Sequence, residues 1–229
     1  GIIEEIRTIK TPDEINSIKT ACKIAENALT ETLKHMTPKV TESFLAAKLE
    51  FEIRRQNSYP SFETIVAFGP NASRPHHQPS KRKLRKNDNV LIDFGAKYNG
   101  CCSDITRCFT IGKTTRRYRN AYRTVLDAQA AAIAEIRPGI DAKHIDQTAR
   151  NIIKNTGLPL YGHGTGHGIG LDIHESPIIS NQSKQKLAAG MVITIEPGVY
   201  IPGKFGIRIE DDVLVTKNGP QILTSNRYK

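Results

Sequence analysis

The 229-residue sequence has no apolar run long enough to cross a bilayer, and its opening residues, GIIEEIRTIK, lack the basic start and apolar stretch of a secretory signal. A cytoplasmic protein that does not enter the membrane is expected. Cysteine is scarce, and Cys22, Cys101, Cys102 and Cys108 form no CxxC pair, which leaves a structural zinc or a thiol redox site without support. Cys101 and Cys102 are neighbours in an extended segment and point to opposite faces, so the four read as reduced packing residues. The GxGxxG fingerprint and the alternating βαβ order of a dinucleotide fold are absent, and so is the GxSxG of a serine nucleophile. RRM, KH and helix-turn-helix patterns are missing as well. The net charge of +10, gathered partly in SKRKLRKN (80–87) and RRYR (116–119), is therefore read as solvated loops rather than a nucleic-acid surface.

What is present begins with a helix. Ile15, Ile18, Cys22, Ala25, Leu29, Leu33 and Met36 recur at helical spacing, and Thr11, Pro12 and Glu14 supply a capping box with proline at the first helical position. A turn at Thr37-Pro38 leads through Thr41, an N-cap, into a second helix carrying Phe44, Leu45, Leu49 and Ile53. Strand-like segments follow at 63–69, 89–95 and 101–111. The same order then returns: a helix over 119–136, a turn at Pro138-Gly139, a helix from Asp141 to Thr156, and strands at 191–198 and 206–215.

The two halves can be aligned. Pro38 and Val40 match Pro138 and Ile140 at an offset of 100, Asp93-Phe94-Gly95 matches Glu196-Pro197-Gly198 at 103, and Asp104 matches Glu210 at 106. A slowly drifting offset is what a duplication with small insertions leaves. It predicts an α+β architecture, in which helix-helix-strand-strand halves (about 11–112 and 117–216) place their helices on one side of a curved antiparallel sheet. One catalytic domain over 1–229 is expected, and the start at Gly1 rather than methionine is read as a cut from something longer.

Each half ends in two strands that each carry one carboxylate. Taken singly, Asp93, Asp104, Glu196 and Glu210 could be salt-bridged or capping acids. Four acids in matched positions of two facing repeats would repel one another unless cations sat among them. The fifth candidate lies in GHGTGHGIGLDIHE (162–175), with His163, His167 and His174. His163 and His167 are four apart, but the glycines between and around them rule out the helix that a zincin pair needs. In extended chain the two share a face, open to a metal or a substrate. Oxygen ligands with one imidazole suit manganese, iron, cobalt or zinc, and two such ions suit hydrolysis of an acyl bond. Arg208 lies two residues before Glu210, on one strand face, where it either orients that carboxylate or is a surface arginine.

The strings VLIDFGAKYNGCCSDITR, HGTGHGIGLDIHESP, TIEPGVY and GIRIEDD, in this order and spacing, resemble the M24 metallopeptidases over about Ile6 to Asn218. That resemblance implies the pita-bread fold and two divalent ions, with manganese foremost. It implies Asp93, Asp104, His167, Glu196 and Glu210 as metal ligands, Asp104 and Glu210 bridging, and Glu196 also as the proton-transfer carboxylate. His174 would stabilise the substrate or the tetrahedral intermediate, as would His76, or His77 in its place. His163 and the IRIEDD setting of Arg208 resemble the proline-specific branch, which implies cleavage before proline in short peptides, as an Xaa-Pro aminopeptidase or dipeptidase. Whether this imidazole and guanidinium meet the proline side or a terminal carboxylate is left open by spacing. The alternatives carried are a methionine aminopeptidase, a more distant creatinase-like amidine hydrolase and a non-catalytic peptidase-like binding module. The N-terminal domain usual in the proline-specific branch is not in this sequence, and a homodimer fits the resemblance.

Overall fold

Apolar residues three and four apart give one buried stripe along a helix. The computed structural model, which describes residues 1–229, places that stripe on Pro12–Leu33 (α2), behind a short helix at Ile2–Thr8 (α1) that the sequence reading missed. The capping box is formed: the Thr11 hydroxyl accepts from the Glu14 N–H, and the Glu14 carboxylate accepts from the Thr11 N–H. Met36 lies beyond the helix end. Thr41 caps the next helix, Glu42–Arg54 (α3), by accepting from the Phe44 N–H. Leu45, Leu49 and Ile53 are fully buried, each side chain worth about 1.5–3 kcal/mol in burial. Phe44 is the exception to the expected stripe, because it sits one position off it and is exposed.

The first half continues through Tyr59–Pro60 (β1), Ile65–Phe68 (β2), Asn89–Phe94 (β3), Ala96–Tyr98 (β4), Cys101–Cys102 (β5) and Ile105–Thr110 (β6). The second half comprises helices Arg116–Ala134 (α4) and Ala142–Asn155 (α5), then Gly166–Gly168 (β7), Glu175–Ile179 (β8), Val192–Ile195 (β9), Gly198–Ile201 (β10), Phe205–Arg208 (β11), Asp211–Thr216 (β12) and Gly219–Ile222 (β13). Helix α4 starts three residues before the expected point because Thr115 caps it through the Tyr118 N–H.

Three expected continuous strands are interrupted, each at an acidic residue. The 101–111 segment breaks at Ser103-Asp104, 191–198 at Glu196-Pro197, and 206–215 at Ile209-Glu210. At the first break the chain leaves a ladder with β4 for one with β3, and the Asp104 N–H is satisfied by the Asp212 carboxylate instead of a strand partner. The single curved sheet is thus four antiparallel ladders, β1-β4-β5, β2-β3-β6, β10-β11 and β13-β12-β9-β7-β8.

The duplication is visible in the tertiary structure. Thr41, at the start of α3, makes an isolated antiparallel bridge to Lys83, and Asp141, at the start of α5, makes the matching bridge to Lys186. One core packs α2 and α3 on β2, β3 and β6, and a larger one packs α4 and α5 on the second half's strands. Ile18, Cys22, Cys101, Cys102, Ile169, Val192 and Leu214 form a third cluster joining the halves. All four cysteines are free and buried, as read from the sequence.

Candidate metal centre

The strand breaks aim side chains into one cavity of about 350 Å³. His76, Asp93, Asp104, His163, His167, His174, Glu196, Arg208 and Glu210 all line it, so these nine residues nominated from the sequence arrive at the same place. His77, the stated substitute for His76, does not. Its Nε2 is 2.9 Å from the buried Glu42 carboxylate, which also accepts from the Phe68 and Ser80 N–H groups, so that ring is committed to structure.

Asp104, His167 and Glu210 each offer a ligand atom within 4.8 Å of the others. His167 is held by two contacts: its N–H donates to the Thr194 hydroxyl, and its ring Nδ1 donates to the Gly168 carbonyl at 3.0 Å. That second bond fixes the tautomer. The Nε2 lone pair of the neutral ring then faces Glu196 Oε1 at 3.5 Å and Asp104 Oδ2 at 3.6 Å. Burial lowers the His167 pKa to about 4, so the ring is neutral near pH 7. A lone pair held against two carboxylate oxygens, at separations beyond a hydrogen bond, is a repulsive arrangement that a cation between them would reverse.

Glycine makes the His167 strand buildable. A Cβ at Gly166 would lie 1.9 Å from the Thr194 carbonyl oxygen, and one at Gly168 would lie 2.2 Å from that of Ser176, so β7 fits between its neighbours only without side chains at those positions.

The carboxylates meet the same test. Asp93 Oδ1 and Asp104 Oδ1 are buried and have no hydrogen-bond partner. Burial and neighbouring acids push the Asp104 and Glu210 carboxyls well above the usual carboxylate range. Burial likewise raises Glu196 to about 8, with Arg208 opposing and Asp93 reinforcing. Hard oxygen donors with one imidazole nitrogen are the donor set of a divalent cation, whose charge would offset the cost of ionising these crowded carboxyls.

Arg208 is not a surface arginine, and its link to Glu210 is indirect. It is buried rather than on the surface, and it reaches Glu210 only through Thr106: Nε donates to the Thr106 hydroxyl at 3.1 Å, and that hydroxyl donates to Glu210 Oε2 at 2.5 Å. Its shortest ion pair is with Asp93, at 2.6 Å, and a longer one reaches Glu196 Oε2 at 3.9 Å. Residues 209 and 210 leave the strand, so strand parity does not set the relation of Arg208 to Glu210, although both line the cavity. Asp212 adds to the polar network around Asp104, accepting from the Asp104 N–H and from the Cys22 thiol.

Tyr200, in the TIEPGVY string, carries a role that the sequence does not signal. Its hydroxyl accepts from Arg208 Nη1 at 2.8 Å and donates to His163 Nε2 at 2.9 Å, while His163 Nδ1 donates to the Gly164 carbonyl. Both nitrogens of His163 are therefore engaged, and this histidine is not free to ligate a metal. Thr106 was also missed, although its two-residue spacing from Asp104 was a usable signal. The apolar wall of Phe62, Ile65, Ile173 and Ile178 carried no signal in the sequence.

Comparison with known proteins gives the class. The model of metallopeptidase family M24 matches residues 16–217. The Xaa-Pro dipeptidase of Pyrococcus furiosus is 44% identical over 225 residues, which are 97% of this chain and 65% of that protein. Among solved structures, the prolidase from Pyrococcus furiosus superposes with a TM-score of 0.96 at 42% identity, over 99% of this chain and 68% of that one. The X-Pro aminopeptidase from Thermotoga maritima gives 0.97 at 38%, over 100% and 65%. The chain belongs to metallopeptidase family M24, and the pita-bread expectation is borne out. It spans less than two thirds of the length of the curated relatives it matches. No helix is long and apolar enough to cross a membrane.

Proposed function

We propose that residues 1–229 form one catalytic domain that hydrolyses the peptide bond preceding proline in short peptides, using two divalent ions, manganese foremost, held by Asp93, Asp104, His167, Glu196 and Glu210. The observation that carries this reading is the lone pair of His167 Nε2 aimed at Asp104 and Glu196 beside two partnerless carboxylate oxygens. When bound, the ions would polarise the scissile carbonyl and make water nucleophilic at neutral pH.

The chain's own residues supply the rest. Glu196 lines the cavity, where its carboxylate is placed to take a proton at Oε and return it to the leaving amine. His174 and His76 line the same cavity and can donate to the oxyanion. Arg208, with four hydrogen bonds to Thr106, Pro75, Tyr200 and Asp93, fixes the Asp93 carboxylate and the Tyr200 hydroxyl. Through Tyr200 it fixes the His163 ring as a wall of the cavity. The apolar side chains Phe62, Ile65, Ile173 and Ile178 give a proline ring a surface to pack on. The names of the relatives support the proline preference over methionine removal.

The test is a digest of Xaa-Pro dipeptides, Xaa-Pro-containing tripeptides and Met-Ala-Ser by manganese-loaded protein, with Glu196→Gln as control. Release of the residue before proline, lost in the control, is the expected result, and the relative rates on two and three residues assign dipeptidase or aminopeptidase action. Intact proline peptides under full metal loading would overturn the reading.

A further inference from the structure

His174 lines the cavity, yet its ring has no hydrogen-bond partner in the protein. Its one close ring contact is edge-on to His167, at 4.4 Å between centroids. It stands on the bend Gly170–His174, which joins β7 to β8. Something other than its own bonds must hold it.

The residue that follows it is gripped from far away in sequence. Glu175 Oε2 accepts from Lys10 Nζ at 2.9 Å, with both side chains nearly buried, and Oε1 pairs with Arg7. Oε1 also accepts the Asp172 N–H at 3.0 Å, which closes the bend on itself, and Arg7 reaches on to the Asp172 carboxylate at 2.7 Å. Lys10 is anchored in turn, since its N–H donates to the Gly190 carbonyl at 2.9 Å. The bend packs directly on this ion pair: a Cβ at Gly170 would lie 2.8 Å from Glu175 Oε2 and 2.9 Å from Lys10 Cε.

We propose that Lys10 and Arg7, acting through Glu175, are positioning residues that hold the bend so that His174 faces the reacting carbonyl. The inference rests on the role given to His174 above. A buried ion pair adds little net stability compared with apolar packing, but breaking it leaves an unpaired charge, so its effect here is to select one conformation of the bend. Displacing a group that touches the reacting atoms by about 1 Å costs up to roughly 100-fold in rate.

The experiment uses the full chain labelled with [15N]histidine and loaded with diamagnetic zinc, with the imidazole peaks of His174 assigned by His174→Gln. In Lys10→Met, which keeps the aliphatic stem, the His174 peaks should shift or broaden while those of the exposed His35 and His144 stay in place. The manganese-loaded variant should lose about 10- to 100-fold in kcat on an Xaa-Pro dipeptide with KM little changed, at unaltered metal content. Arg7→Met, at the exposed edge of the cluster, should move the same signals less, and it decides the question if Lys10→Met does not fold. Unmoved His174 peaks in a folded variant, or moved peaks with undiminished kcat, would overturn the proposal. If the wild-type protein cleaves no proline peptide, moved peaks still support the clamp, and the failure falls on the proposed reaction.

Discussion

Arg208 donates to Asp93 at 2.6 Å across the two halves of the duplicated fold, while its Nε lies 3.9 Å from Glu196 Oε2, so the one guanidinium lining the cavity is shared unequally between two of its acids. Asp93, Asp104, Glu196 and Glu210 face this single cation in a buried setting, and without a metal that burial and crowding keep Asp104, Glu196 and Glu210 protonated to higher pH than usual. The arginine also connects the carboxylates to the cavity wall, through Thr106 to Glu210 and through Tyr200 to His163.

Lysine cannot reproduce that fork. Arg208→Lys keeps the charge but loses the simultaneous bonds to Thr106, Tyr200 and Asp93. Manganese affinity should fall about 10- to 100-fold, checked by calorimetric titration of the metal-free protein. Undiminished affinity would separate Arg208 from the metal centre.

Tyr200→Phe deletes the hydroxyl that joins Arg208 to His163 and leaves the Arg208–Asp93 pair in place. The expected outcome is a fall of about 10-fold in kcat/KM on Xaa-Pro dipeptides, the equivalent of one to two ordinary hydrogen bonds, without loss of bound metal. Steady-state kinetics with metal analysis on the same sample provides the check.

Stability of the metal-free protein should depend on pH in a defined direction. The folded-state pKa of Glu196 is raised to about 8, so its contribution is complete below the ordinary glutamate value and is lost as pH rises through 8; Asp104 and Glu210 act in the same sense. His163 and His167, lowered to about 4, contribute fully above the usual histidine pKa and lose that contribution in acid. From about pH 6.5 to 8.5 only the carboxylates should therefore change. Melting temperature should decline over that window without metal and hold steady with saturating manganese. Parallel curves would mean that the cation does not bind these acids.

Helix α4 offers a control far from the chemistry. Thr115→Ala removes the side chain that accepts the Tyr118 N–H, at a cost of about 1 kcal/mol. In a chain of this size that lowers the melting temperature by about 2–4 °C, readable by calorimetry, with turnover unchanged.

Local chemistry alone determined a large part of this protein. The capping box at Thr11, the Thr41 cap and the drifting offsets between Pro38 and Pro138, Asp93 and Glu196, and Asp104 and Glu210 are relations between near neighbours or repeated strings, and each appears as read. Seven of the nine nominated cavity residues were legible for the same reason, since each half repeats its acids and the glycine-rich segment concentrates histidines, whereas Arg208 was read from its spacing to Glu210 and His76 from the family resemblance alone. The ion pair of Arg208 with Asp93, the commitment of His77 to Glu42, the Tyr200 relay and the grip of Lys10 on Glu175 were decided only in three dimensions. These contacts join residues tens to more than a hundred positions apart, and no helical or strand period records such a pairing. The strand breaks at Asp104, Glu196 and Glu210 belong with them, because a local run of β-forming residues continues until a partner ladder ends, and where it ends is a property of the assembled sheets.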